Sequence, residues 1–197
     1  MRTDLSRLIH ERLGHFALES GHHSRRWLDL ELLCLSPKAV RPLANELAAK
    51  LEPYQPQVIC GPLVEGAFVG LFVAETMGLD FIYAHREPDP SSSDLFSVTY
   101  ALPGPLREHA AGRRVALVND VINAGSAVRG ALADLAEQRA NTVVIGALLA
   151  LGEAPENLAR HVGVPLETLD DDTNEIWAPA RCPLCASGVP LTPHSGI

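Results

Sequence analysis

The stretch Arg114-Val-Ala-Leu-Val-Asn-Asp-Val-Ile-Asn-Ala-Gly-Ser-Ala-Val-Arg-Gly130 decides how the rest of the chain is read. An aliphatic run, Val115 to Val118, leads into a polar turn with one glycine and then into a helix start. In an open parallel sheet, ligands sit at the carboxyl ends of the strands. A helix that begins there turns free N–H groups and its positive dipole end toward an anion such as a phosphate. Asn123, Gly125 and Ser126 supply a tight turn with amide and hydroxyl donors, and Asp120 at the strand end could accept hydrogen bonds from ribose hydroxyls. On residue types alone, the segment reads equally well as an Asp/Asn-rich strand-to-helix turn with a serine cap.

Working outward, Val58 to Gly61 and Thr142 to Leu149 are also short, aliphatic and bounded by polar or turn residues, as parallel strands buried on both faces should be. Phe81 to Ala84 carries a weaker strand signal. Helix-like stretches lie between them: Pro37 to Leu51, Gly66 to Met77, Ser126 to Gln138 and Pro155 to His161. In the first of these, Val40, Leu43, Leu47 and Leu51 recur at helical spacing. Strands alternating with helices imply an α/β fold, a doubly wound parallel sheet of Rossmann-like type built with right-handed crossovers. Residues 1–35 break the alternation. Leu5 to Leu13 reads as a short helix, and Phe16 to Leu18 with Trp27 to Leu30 as a small strand pair around Gly21, together a hood over the ligand edge of the sheet. The expected organisation is one domain, with hood 1–35, α/β core 36–178 and a cysteine-containing tail 179–197. Between Glu87 and Arg107, with the aperiodic run Pro90 to Ser93, a surface loop is expected.

The 197 residues, 47% hydrophobic and 20% charged, are enough for one globular core. A net charge of −8 leaves no basic surplus for nucleic acid or an anionic membrane. Of sixteen basic residues only Lys38 and Lys50 are lysine, so fourteen are arginine. Met1 to Gly14 lacks the apolar stretch of a signal peptide, and the longest apolar run, Val143 to Leu151, is far below the ~20 residues of a membrane span. A cytoplasmic protein with Cys34, Cys60, Cys182 and Cys185 reduced is expected.

Asp120 to Arg129 resembles the phosphoribosyl pyrophosphate (PRPP) signature of type I phosphoribosyltransferases, and is especially similar to its form in orotate phosphoribosyltransferases. Val58 to Gly66, Val-Ile-Cys-Gly-Pro-Leu-Val-Glu-Gly, resembles that family's Gly-Pro-x-x-x-Gly pyrophosphate loop. Leu18 to Leu30 resembles the hood of the orotate enzymes, and the three matches keep the family's order over roughly residues 5 to 150. The resemblance implies transfer of ribose-5-phosphate from PRPP to a nitrogenous base, orotate or a related one, with release of pyrophosphate. It implies Mg2+ brought in through PRPP and a homodimer whose sites are completed across the interface. By position, Asn119, Asp120, Val121, Asn123, Ala124, Gly125, Ser126 and Ala127 would hold the ribose-phosphate. Gly61, Pro62, Leu63, Val64, Glu65 and Gly66 would hold the pyrophosphate. Glu19, Ser20, Gly21, His22, His23, Ser24 and Glu153 would face the base, with Asp120 and Arg86 as the catalytic pair.

The departures from the family pattern share a direction. Asn119 stands where the family has its first acid, and Glu19 and Glu65 stand where it carries lysines. Arg86-Glu87-Pro88-Asp89-Pro90 replaces a loop that begins Arg-Lys-x-x-Lys. Gly152 and Glu153 replace the Asp-Arg pair whose arginine meets the orotate carboxylate. Fixed cations stabilise a leaving pyrophosphate, whereas glutamates repel it, although Mg2+ offsets part of that. Arg25, Arg26, Arg86, His22 and His23 could supply donors by another route. Glu153 without a nearby arginine points to a base that lacks a carboxylate and carries an amine. A regulatory protein of the same fold, binding PRPP or a nucleotide without turnover, is the alternative.

Cys182-Pro-Leu-Cys185 has the spacing of half a zinc knuckle, with His194 beyond it. A structural zinc wants four ligands, and no second cysteine pair lies near in sequence. The expectation is therefore a tail turn packed on the body, with no metal held by protein side chains unless a symmetry mate completes the set. Asp170-Asp171-Asp172 reads as a solvated acidic turn, and Trp27 and Trp177 as core or interface residues.

Overall fold

Residues with branched aliphatic side chains occupy the strands that the sheet covers on both sides, and their burial orders the chain. The computed structural model describes residues 5–88 and 98–193. In chain order these form α1 (Leu5–Leu8), β1 (His10–Ala17), β2 (His23–Asp29), a 3-10 turn (Leu30–Leu35), α2 (Pro37–Leu51), β3 (Val58–Pro62), α3 (Glu65–Met77) and β4 (Asp80–Pro88). There follow β5 (Val98–Ala101), α4 (Gly104–Ala110), β6 (Arg114–Ile122), α5 (Ser126–Glu137), β7 (Asn141–Leu151), α6 (Ala154–Val162), β8 (Leu166–Asp172), β9 (Ile176–Trp177) and α7 (Pro183–Ala186).

The main sheet runs β5-β4-β3-β6-β7-β8, parallel throughout except for antiparallel β5. In β6, Ala116, Val118 and Val121 face a core shared with α2 and α3, while Val115, Leu117 and Ile122 face a core shared with α5 and α6. That alternation on two buried faces is why the strand is aliphatic at nearly every position. Helix α2 starts with Pro37 in its first turn and buries Val40, Leu43, Leu47 and Leu51. Each such side chain contributes about 1.5–3 kcal/mol of apolar burial.

The hood is a second sheet, β1-β2-β9. The helix expected over Leu5 to Leu13 ends at Leu8, because from His10 the backbone pairs with β2, with His10 opposite Asp29 and Arg12 opposite Trp27. The hairpin register also differs from the expected pairing of Phe16–Leu18 with Trp27–Leu30. Phe16 lies opposite Ser24 because the connection is short, with Leu18 N–H donating to His22 O at 2.7 Å and Gly21 at φ +74°. Cross-strand bonding outweighs the local helical preference here.

The loop expected between Glu87 and Arg107 gives way, where described, to β5 and α4. The run Pro90 to Ser93 lies outside the described residues, as do Asp89 and His194. The Asp170–Asp172 run is not a turn but the end of edge strand β8, whose polar sequence reflects one exposed side. The four cysteines are unbridged. Among the described residues no helix is long and apolar enough to cross a membrane.

Candidate functional site

Strand β6 ends at Ile122 and α5 starts at Ser126, so Asn123 to Gly125 must turn the chain in three residues. Gly125 does so at φ +79°, a conformation that glycine adopts without the steric penalty of a side chain. A Cβ there would also stand 2.9 Å from Leu158 Cδ2. No side chain caps α5, so its first amides remain available to a ligand.

A cavity of about 220 Å³ opens over this turn. Its floor is Asn119 and residues 121–128, its roof is Leu18, Glu19, Ser20, Arg26, Trp27, Leu28 and Leu30 from the hood, and Leu151 and Asn174 close the rim. It therefore sits at the carboxyl ends of the central strands, where open α/β sheets bind ligands. Asn174 ties roof to floor: its amide donates to Asn123 Oδ1 at 3.1 Å, and its own Oδ1 accepts from Ser24 Oγ at 3.4 Å. The one basic side chain of the lining, Arg26, is already engaged. It donates to Glu11 Oε1 at 2.7 Å, Asp172 Oδ2 at 2.9 Å and Thr173 O at 2.6 Å. Its charge is compensated, and its role in the roof is to hold the hood onto the β8–β9 connection.

Glu19 reaches from the roof toward the antiparallel edge of the main sheet. Tyr100 donates to its Oε1 at 3.3 Å, and Arg86 Nε lies 3.6 Å from the same oxygen. Burial, followed by the charge and hydrogen bond of Glu19, pushes the Tyr100 hydroxyl well above its ordinary pKa, which keeps it a donor. Among the described residues, Arg86 thus meets the cavity through Glu19.

Asp120 is 4% exposed and does not line the cavity. Burial raises its carboxyl to about pKa 7; the nearby Glu65 adds to the rise, and the backbone N–H groups of Val121 and Asp120 oppose it. Burial, Asp120 and Glu65 also push the Cys34 thiol up to about 11. Asp120, Glu65 and Cys34 therefore share one neighbourhood beside the cavity. The segment Gly61 to Gly66 adjoins the floor without lining it. A Cβ on Gly61 would lie 2.7 Å from Ala67 Cα, and one on Gly66 would overlap Asn119 Oδ1. Both glycines allow α3 to start hard against the strand ends. The Leu63–Val64 peptide is cis, and Leu63 N–H donates to Ala84 O at 2.8 Å.

Of the residues singled out in the sequence, Asn119, Val121, Asn123 to Ala127, Glu19 and Ser20 come together around one cavity. Gly21 and Ser24 support its roof from outside. His22 folds onto Ser20, its Nδ1 3.2 Å from the hydroxyl. His23 is turned away from the cavity toward His15 and the tail, and burial and then His15 hold its imidazole below the ordinary pKa. Glu153 does not face the cavity either. Gly152 turns at φ +67° beside Asn174 O, and Glu153 is left exposed at the start of α6. Asn174 and Tyr100 carry no local signal in the sequence, since only the β8–β9 connection and the β4–β5 pairing bring them to the site.

No family model matches the chain. Among solved structures, it is similar to adenine phosphoribosyltransferase from Thermoanaerobacter pseudethanolicus, with a TM-score of 0.68 at 16% identity over 87% of this chain and 100% of that one. Orotate phosphoribosyltransferase from Aeropyrum pernix gives a TM-score of 0.62 at 18% identity over 83% and 88%. The fold is that of the type I phosphoribosyltransferases. Within that class the sequence relatives are orotate phosphoribosyltransferases. The Thermotoga maritima protein is 29% identical over 90% of this chain and 87% of its own length. The Helicobacter pylori protein is 28% identical over 92% and 91%.

Proposed function

We propose that the chain transfers a 5-phosphoribosyl group from PRPP to a nitrogenous base and releases pyrophosphate. The observation that carries this reading is the Asn123–Ala127 turn, with Gly125 in the left-handed region and the uncapped amides of α5 facing a hood-covered cavity. Those amides and the helix dipole would bind the 5-phosphate. Asp120, with its neighbour Asn119, would hold the ribose diol, and residues 61–66 with Arg86 would receive the pyrophosphate. The acceptor would lie among Trp27, Leu28 and Leu30. As the C1–oxygen bond to pyrophosphate breaks, a ring nitrogen of the base forms the new bond to C1 and gives up its proton to solvent. The protein's part is positioning and electrostatics rather than covalent catalysis.

Mg2+ fits this arrangement, because the carboxylate of Glu65, which already makes Asp120 harder to ionise, stands beside the expected diphosphate. When bound, the ion would neutralise pyrophosphate oxygens as they gain charge. Exposed Leu35, Phe68 and Leu71 favour burial against a second copy, in keeping with a homodimer. The reduced state of the cysteines suits the cytoplasm.

The base is one without a carboxylate. Glu19 lines the roof, and Arg26 is committed to Glu11 and Asp172, so among the described residues no free cation awaits a carboxylate in the cavity. Pyrophosphate release measured with PRPP, Mg2+ and a panel of bases tests both parts. Release with an amine-bearing base and little with orotate is expected. Efficient turnover of orotate would overturn the base assignment. Tight PRPP binding without release for any base would transfer the site to the regulatory reading, which the acidic Glu19 and Glu65 favour.

A further inference from the structure

On the face of the hood away from the cavity, four potential metal ligands converge from opposite ends of the chain. They are His15 of β1, His23 of β2, and Cys182 and Cys185 of the tail, whose ligand atoms all lie within 4.8 Å of one another. His15 Nε2 is 3.0 Å from His23 Nδ1, 3.4 Å from Cys182 Sγ and 3.7 Å from Cys185 Sγ. Cys185 Sγ is 3.3 Å from His23 Nδ1. A tetrahedral zinc with bonds of about 2.0–2.1 Å to nitrogen and about 2.3 Å to sulfur has ligand–ligand edges of roughly 3.3–3.8 Å. Four of the six edges are therefore already near the size that such an ion requires.

Local structure explains the convergence. Alternation along a strand puts His15 on the same face as Ala17, and Ala17 lies opposite His23, so the two imidazoles are diagonal neighbours on one face. A register shift between Leu13 and Phe16 distorts β1 there, and the tail bonds to the distorted strand. Thr192 N–H donates to His15 O at 2.6 Å, and His15 N–H donates to Thr192 Oγ1 at 3.1 Å. The His15 ring lies with Nδ1 2.8 Å from Val189 O. With that nitrogen donating to the carbonyl, the tautomer leaves the Nε2 lone pair directed at the cluster, the outer contact characteristic of metal-bound histidines. Two thiolates and two neutral imidazoles cancel the charge of a divalent ion, which suits a site where His15 and Cys182 are 1% and 2% exposed.

Among the described residues, the tail also lacks any other anchor of comparable strength. Among residues 178–193 only Cys182 is buried, and α7 is a single turn with no buried residue of its own. A segment without a core needs a staple. We propose that His15, His23, Cys182 and Cys185 bind one structural zinc ion that fastens the C-terminal tail to the hood. All four positions are filled by protein, so the site has no open position for catalysis. Binding forms two Zn–S and two Zn–N bonds and releases the two thiol protons. The half knuckle Cys182–Cys185, short of two ligands by sequence, lies against two histidines of the hairpin, which would complete the set where a second cysteine pair was sought.

The site stands independently of the transferase reading, and its test reads metal rather than activity. The untagged full chain, purified under reducing conditions and dialysed, should contain one zinc per chain by elemental analysis. After chelation, added Co2+ should give the visible bands of a tetrahedral ion and a near-ultraviolet thiolate-to-cobalt band. Zinc should slow alkylation of Cys182 and Cys185 by about tenfold or more relative to the metal-free chain. The C182S/C185S variant should lose the ion, and the C34S/C60S variant should keep it. If C182S/C185S fails to fold, the cobalt spectrum and the alkylation map of the natural chain decide. A chain that takes up neither Zn2+ nor Co2+, or one whose bound metal leaves Cys182 and Cys185 as reactive as before, overturns the proposal.

Discussion

The two faces of the hood are built in opposite ways. On the inner face, the single stretch from Asn119 to Val128 supplies the cavity floor, every residue of it but Asp120. On the outer face, His15, His23, Cys182 and Cys185 form one cluster from residues as many as 170 positions apart. The inner site is a property of one strand, one glycine and one helix end, so a short stretch of sequence carries it. The outer site exists only when a hairpin register and a docked tail are both in place. The lesson is that a local site can tolerate a loose surrounding, whereas an assembled site reports the integrity of everything that brings it together.

Breaking the inner site should have the largest effect. Gly125→Val forces a β-branched residue into the left-handed region and against Leu158. Strain of about 1–3 kcal/mol at the turn should lower PRPP affinity on the order of 10- to 100-fold, as calorimetry would read. The cobalt spectrum of the outer cluster should be unchanged by that variant, and its loss would contradict the independence of the two faces.

Asp120→Asn should separate stability from function. The native carboxyl titrates at about 7, above the ordinary value of 3.8. Below pH ~4 the group is protonated folded or unfolded and has no effect on stability. Between those values the native state keeps a proton that the unfolded chain has lost, so stability falls as pH rises and the full cost is present above 7. The variant should match the natural chain in denaturant midpoint near pH 4 and exceed it at pH 8, by on the order of a few kcal/mol. It should at the same time slow pyrophosphate release. Equal midpoints at pH 8 would remove the strained carboxylate from the account.

Arg26→Ala tests what holds the two faces together. It leaves Glu11 and Asp172 without their shared guanidinium and removes one of the ties between β2 and the β8–β9 connection. A loss of about 1–3 kcal/mol is expected from thermal unfolding, together with weaker substrate binding, because the roof would loosen. The smallest effect should come from Glu19→Gln. Its contact with Arg86 is long and both side chains are partly exposed, so stability should change by less than about 1 kcal/mol. Freed of that partner, Arg86 should improve PRPP affinity by no more than several-fold in a binding titration.

Much of this could be read in advance where neighbours in sequence are neighbours in space. Helix α2 runs from Pro37 to Leu51 as its periodicity predicts, and β6 and α5 flank the turn as its residue types require. The misreadings cluster where partners are remote. Leu5 to Leu13 looked helical because nothing nearby announces β2, and Asp170–Asp172 looked like a turn because the edge strand that contains them is polar. Glu153 was expected to face the base by its position after β7, yet the left-handed turn at Gly152 and the crowding of Asn174 leave it in solvent.

The sequence by itself determined the α/β alternation, the glycine turn at the end of β6 and the replacement of lysines by glutamates. These follow from local steric preference, burial pattern and charge, which need no distant partner. Only the tertiary structure decided that Arg26 is spent on the hood, that Asp120 is buried beside Glu65, and that two histidines stand over two cysteines. Each of those depends on strand register and tail docking, set by hydrogen bonds and apolar burial between segments that the chain keeps far apart.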